Sequence, residues 1–186
     1  MPIAPALLLL YLLTLLCWWP GNVEAAITGM ARVVDGDTLK IDKDRIRLYG
    51  IDAPEKAQPC QRDDRDYACG QQSAEQLQQF IGRKKVSCDE RDRDRYGRIV
   101  AVCQIGRVEI NRWMVEQGWA VAYRQYGGKA YVPQEEEARR NKRGIWAGNF
   151  QMPEQWRREH RAEEGSKKAL TPFWDQVQRY LKEMVR

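Results

Sequence analysis

Carboxylates and guanidinium groups concentrate in two short stretches of this chain. The first holds Asp35-Gly36-Asp37-Thr38, followed by Arg47-Leu48-Tyr49-Gly50-Ile51-Asp52-Ala53-Pro54-Glu55. Asp37 and Asp52 are hard oxygen donors of the kind Ca²⁺ prefers. Glu55 stands just past a proline that stiffens its turn, so its carboxylate could take a proton from an attacking water. The second stretch is Asp94-Arg95-Tyr96-Gly97-Arg98. An arginine suits a phosphodiester in its transition state because its planar fork donates two hydrogen bonds and stays charged at any working pH. Charge accumulates on the non-bridging oxygens as phosphorus becomes five-coordinate, and donors aimed there lower the barrier. Each fragment taken singly is also an ordinary polar turn.

The surrounding pattern supplies elements to position these groups. Ala26 to Val34 reads as a strand, and Thr38 to Ile41 with Ile46 to Ile51 as a hairpin about Asp42-Lys43-Asp44. Gly70 to Ile81 carries Ala74, Leu77, Phe80 and Ile81 at helical spacing, with Gly82 as a stop. Lys84 to Asp89 and Ile99 to Ile105 read as two further strands around a charged loop, Glu90 to Arg95. Glu109 to Gln117 is a short helix ended by Gly118, and Trp119 to Tyr123 a short extended run. Pro133 to Arg143 is a helix whose glutamates and arginines complement its dipole. Gly148 to Ala169 is polar and loosely patterned, with Trp156 as its docking point. Phe173, Val177, Leu181 and Met184 then form the stripe of an amphipathic helix.

The chain has 186 residues, 43% of them hydrophobic, enough for one compact domain with extras. Its net charge of +5 favours a polyanionic partner, nucleic acid before anionic membrane. The apolar run Ala6 to Trp19, the break at Pro20-Gly21 and Val23-Glu24-Ala25 have the layout of a signal peptide cleaved after Ala25. The expected division is therefore signal peptide 1–25, folded domain 26–148 and C-terminal extension 149–186. The expected location is secreted or periplasmic, with a membrane contact only if residues 1–20 stay as an anchor. Cleavage leaves Cys60, Cys69, Cys88 and Cys103, an even number that suggests disulfides in an exported chain. Cys88 and Cys103 flank the charged loop almost symmetrically, and Cys60 and Cys69 bracket a polar insertion, so Cys88–Cys103 and Cys60–Cys69 are the expected pairs. No two cysteines have the spacing of a zinc or redox CxxC motif. His160 is the only histidine and lies far from both stretches, so any histidine chemistry would depend on it alone, and it reads as a surface histidine.

Taken in order, these segments resemble the staphylococcal nuclease family: Asp-Gly-Asp-Thr, then Arg and Asp-x-Pro-Glu beyond a hairpin, a helix, Asp-x-Tyr-Gly-Arg, a helix ending in Gln-Gly, and Gly144-Ile145-Trp146 after a charged helix. The resemblance covers about Ile27 to Trp146. It implies an α+β fold, a five-stranded OB-type β-barrel with about three packed helices. It implies Ca²⁺ held by Asp37, Asp52 and the Ala53 carbonyl, and catalysis by Arg47, Glu55 and Arg98. Arg95 and Tyr123 would contact substrate. The reaction implied is hydrolysis of DNA or RNA to 3′-phosphate and 5′-hydroxyl ends, with no obligate protein partner inferred. Ala53 replaces the prototype's threonine, the loop Gln58 to Cys69 carries two additional cysteines, and the match around Tyr123 to Tyr126 is looser. The alternative is a non-catalytic OB-fold module that binds nucleic acid or protein.

Overall fold

The computed structural model describes residues 26–162. The signal-like segment and the Phe173 to Met184 stripe lie outside them. Strand β1 (Ile27–Asp35) pairs antiparallel with β2 (Thr38–Ile41), and β2 with β3 (Asp44–Leu48). The β1–β2 register shifts between Val33 and Asp35, so Asp35 sits opposite Thr38. Such a bulge turns a strand end and re-aims its side chains. Short strand β4 (Ile51–Asp52) follows, then β5 (Cys60–Arg62), β6 (Arg65–Tyr67) and helix α1 (Cys69–Ile81). Next come β7 (Lys85–Arg93), β8 (Ile99–Ile105) and β9 (Val108–Glu109). Helix α2 (Ile110–Glu116), strand β10 (Val121–Ala122) and helix α3 (Val132–Arg140) follow. A fourth helix, α4, runs over residues 153–162.

The strand order is β3-β2-β1-β7-β8, and β3 also pairs parallel with β8 through Ile46↔Ile99 and Leu48↔Ala101. That last pairing closes a five-stranded barrel of the OB type. Leu39, Ile46, Leu48, Val86 and Ala101 are completely or almost completely buried in it. Burying each Leu, Ile or Val is worth roughly 1.5–3 kcal/mol. The same alternation sends Arg45, Arg47 and Val100 outward, so the barrel's outer face carries the charge.

Two disulfides brace the fold. Cys88 and Cys103 are direct cross-strand partners on β7 and β8. Cys60–Cys69 joins β5 to the first turn of α1. The segment between those last two cysteines is a β5–β6 hairpin and not simply a polar loop. Its turn residues Asp63 and Asp64 have φ of 51° and 58°. Aspartate tolerates this left-handed region better than most residues, and the turn suits a hairpin without glycine. Strand β7 also reaches further than its composition suggests, to Arg93, so the turn is confined to Asp94 through Arg98. Most residues of Asp89 to Arg93 are solvent-exposed, where charges cost little while ladder hydrogen bonds continue.

Asn111, buried at the start of α2, locks that helix to the barrel. Its Oδ1 accepts from the Cys103 amide at 3.0 Å, and its Nδ2 donates to the carbonyls of Tyr49 (2.9 Å) and Ala101 (3.2 Å). Asn111→Leu keeps the shape but strands these backbone groups, each worth about 1–3 kcal/mol when buried without a partner. The expected loss of stability is about 2–4 kcal/mol, read from urea unfolding under oxidising conditions. A change below 0.5 kcal/mol would show that water replaces the amide at no penalty.

Candidate active site

The β1–β2 bulge and the tight turn after it deliver Asp37 to the head of β2. Asp37 is 4% exposed, and Asp52, on β4, is 1% exposed. Two buried carboxylates repel each other and lose their hydration unless a cation joins them. Arg47 does so. Thr38 pairs with Arg47 across the β2–β3 ladder, which sets the guanidinium beside Asp37. Its Nη2 lies 2.9 Å from Asp37 Oδ2 and 2.7 Å from Asp52 Oδ1, and its Nη1 donates to Asp37 Oδ1 at 3.1 Å. Burial works against the Arg47 charge, but Asp37 and Asp52 outweigh it and hold the guanidinium more firmly protonated than usual.

Neighbouring backbone completes the cluster. The Ala53 amide donates to Asp37 Oδ2 at 3.2 Å and the Thr38 hydroxyl to Oδ1 at 3.0 Å. A Cβ on Gly36 would fall 2.2 Å from Ser73 Oγ and 2.7 Å from Ala53 Cβ, so only glycine lets this turn lie against α1 and the Asp52 loop. Asp35 stands behind Asp37 and takes its amide hydrogen at 3.1 Å. Burial, then the Asp37 charge, pushes the Asp35 carboxyl up to about 7. Burial also raises Asp52, against the pull of the Arg157 hydrogen bonds.

Glu55 follows β4 and is more open, with its side chain 33% exposed. Its loop is held by Gln58, which is fully buried. Gln58 Oε1 accepts from the Glu55 amide at 3.2 Å, and the Gln58 amide donates to the Glu55 carbonyl at 2.7 Å. Gln58 Nε2 reaches across to the Gln151 carbonyl at 2.7 Å. Gly70, in α1, passes so close that a Cβ there would lie 1.7 Å from the Glu55 carbonyl oxygen.

Arg157, on α4, also enters this cluster. Its Nη1 donates to Asp52 Oδ1 at 2.8 Å and Glu55 Oε1 at 2.9 Å, and its Nη2 to Asp52 Oδ2 at 2.8 Å. The sequence points to Trp156 as the docking point of this segment. Trp156 instead stacks on His160 of the same helix at 3.8 Å, and the ion pairs come from the residue after it. No apolar periodicity announces a helix held by ion pairs, so the residue types carried no signal.

Arg98 lies apart from these contacts. It precedes β8, and its Nε is paired with Asp94 Oδ2 at 2.6 Å. Burial tends to raise Asp94, but hydrogen bonds from Arg98 and Tyr96 outweigh it and lower the carboxyl below its usual range. Val100 is level with Arg47 in the β3–β8 ladder, so Arg98 shares the outward face about 7 Å along the strands. Arg95 is exposed and its guanidinium lies 5.0 Å from the centre of the Tyr96 ring. Tyr123 follows β10, whose Val121 pairs with Asp52, and its ring lies 4.7 Å from that of Tyr126. Burial raises the Tyr123 phenol, helped by the charges of Glu154 and Asp52. Glu135 is more than a dipole complement: it is buried, accepts the Ala122 amide at 3.0 Å and pairs with Arg124, fixing the strand that leads to Tyr123.

Among the described residues no three His, Cys, Asp or Glu side chains converge as a metal-binding group. A cation here would use two carboxylates, a backbone carbonyl and water. Asp37 and Asp52 do converge, since both reach one nitrogen of Arg47, and such a hard, sparse oxygen set fits Ca²⁺.

A profile of staphylococcal nuclease homologues matches residues 45–148. The succinoglycan biosynthesis protein ExoI of Rhizobium meliloti (strain 1021) is 40% identical over 124 residues, 64% of this chain and 64% of its own length. The chain thus spans a little under two thirds of that relative. An uncharacterized endonuclease of Haemophilus influenzae is 37% identical over 139 residues, covering 71% of this chain and 73% of the relative. Micrococcal nuclease of Shigella flexneri is 35% identical over 146 residues, covering 69% and 79%.

The close approach at Gly70 generates a test of how the Glu55 loop is seated. Gly70→Ala forces backbone apart and is expected to cost about 1–3 kcal/mol. Gln71→Ala, at the exposed position beside it, is expected to stay within about 0.5 kcal/mol. Equal effects of the two in thermal unfolding would show that the loop yields freely.

Proposed function

The chain belongs to the staphylococcal nuclease family, and on that premise we propose that it is a Ca²⁺-dependent nuclease that hydrolyses phosphodiester bonds of DNA or RNA, leaving 3′-phosphate and 5′-hydroxyl ends. One observation supports this most: two buried aspartates, a bridging arginine and a partly exposed glutamate meet at the end of one barrel hairpin. Asp37, Asp52 and the Ala53 carbonyl would hold the Ca²⁺, which when bound supplies positive charge to polarise a phosphate oxygen.

The chain's own groups do the rest. Arg47 keeps its charge against burial and presents its outer edge, 16% exposed, to an incoming phosphate. Arg98 is held by its Nε, and its Nη atoms make no protein hydrogen bond among the described residues. Both guanidinium groups are thereby preorganised toward oxygens that gain charge in the transition state. Glu55, open to solvent, accepts a proton from the attacking water. Tyr123 offers an aromatic face to a base, an interaction typically worth about 1–3 kcal/mol.

Two disulfides suit an oxidising compartment, and export through residues 1–25 would place the enzyme outside the cytoplasm. Among the described residues no helix is long and apolar enough to cross a membrane.

Three outcomes test the reading. Chelation with EGTA should abolish cleavage of single-stranded DNA and RNA, Ca²⁺ should restore it, and Mg²⁺ should restore it poorly; full activity in chelator would remove the metal from the mechanism. Arg47→Lys and Arg98→Lys should each lower kcat about 10²–10³-fold, because lysine keeps charge but loses the two-pronged donor. Glu55→Gln should likewise cleave slowly while folding normally by circular dichroism, and wild-type turnover would exclude Glu55 as the base.

A further inference from the structure

Arg157 belongs to the cluster but has no part in the proposed reaction. It caps both oxygens of Asp52 and the near oxygen of Glu55, at 2.8, 2.8 and 2.9 Å. Its side chain is 21% exposed, and Asp52 is 1% exposed. Burial disfavours its charge, yet the Asp52 and Glu55 contacts more than compensate and hold it more firmly protonated than usual. It is separated from Asp52 by 105 residues, so the contact exists only because α4 folds back across the barrel end.

That return is built into the fold. The Asn149 amide and carbonyl exchange hydrogen bonds with Gln61 at 2.8 Å each way. Gln58 then grips the Gln151 carbonyl with the same side chain whose Oε1 holds the Glu55 amide. Pro153, buried at the first turn of α4, seats the helix. One buried glutamine therefore positions both Glu55 and the start of the helix that delivers Arg157.

A divalent cation needs the Asp52 lone pairs that Arg157 occupies. Arg47 already shares Asp52 Oδ1 with Arg157, so a divalent cation would be a third positive group on one carboxylate, and the mutual repulsion in a poorly solvated site sets it against Arg157. We propose that Arg157 is a positioning residue that acts as an internal counter-cation: it keeps Asp52 and Glu55 paired, competes with Ca²⁺ for Asp52, and couples cation binding to release of α4. The inference rests on the assignment of Asp52 as a Ca²⁺ ligand. It makes the intrinsic affinity for the cation lower than the bare carboxylates would give, and makes α4 a control on the site.

The test uses the full mature chain without nucleic acid. Ca²⁺ binding is measured by titration calorimetry for wild type, Arg157→Gln, Arg157→Lys and, as a control, Arg158→Gln at an exposed position on the same helix. Arg157→Gln is expected to bind Ca²⁺ about tenfold more tightly, with Arg157→Lys between and Arg158→Gln unchanged. A merely structural role for Arg157 would weaken binding instead. Hydrogen exchange gives an independent readout: saturating Ca²⁺ should speed exchange of the amides in residues 153–162 of wild type. In Arg157→Gln these amides should exchange fast from the outset. Equal or weaker Ca²⁺ affinity in folded Arg157→Gln, or α4 amides that become more protected with Ca²⁺, would overturn the proposal. Absence of Ca²⁺ binding in every variant would overturn the ligand assignment and this proposal with it.

Discussion

Asp37 and Asp52 are almost wholly removed from water and both lie within reach of one nitrogen of Arg47. A buried charge without a partner costs several kcal/mol, and two of like sign cost more. The site therefore stands or falls with the Arg47 bridge, and the bridge depends on strand register. Slipping β3 by one residue would turn Arg47 into the barrel and Ile46 out of it. The β3–β8 pairing that closes the barrel thus also fixes the charged face where the chemistry is proposed.

Around that bridge, tight backbone approaches do the positioning. Gly36 lets the Asp35–Asp37 turn lie against Ser73 and Ala53, and Gly70 lets α1 run against the Glu55 carbonyl. Gln58 satisfies the Glu55 loop from within and reaches the segment before α4. Buried polar groups of this kind are useful only when every partner is present, because a half-satisfied network is worse than an apolar core. Here Gln58, Asn111 and Glu135 each hold at least two backbone or charged partners drawn from different elements.

The site is a balance of charge as much as a shape. Three carboxylates, Asp37, Asp52 and Glu55, with Asp35 behind them, face two guanidinium groups, Arg47 and Arg157. Arg98, two residues before the partner of Arg47 in the β3–β8 ladder, and Tyr123, two residues past the partner of Asp52, make none of the hydrogen bonds of this cluster among the described residues.

Much of this was legible from residue types. Asp-Gly-Asp-Thr, Asp-x-Pro-Glu and Asp-x-Tyr-Gly-Arg are contiguous, and α1 and the barrel strands follow local hydrophobic periods that survive any tertiary context. Even so, β7 ran on through charged residues to Arg93, and Asp63-Asp64 made a hairpin turn without glycine, because solvent tolerates both. What the sequence by itself determined is which groups are available and the local elements that carry them. Only the tertiary structure decided that Arg157, 105 residues away, caps Asp52, that Gln58 joins the Glu55 loop to Gln151, and that buried Glu135 holds the β10 amide of Ala122. The physical reason is that these contacts are ion pairs and single hydrogen bonds between surfaces brought together by barrel closure, and such contacts leave no periodic trace along the chain.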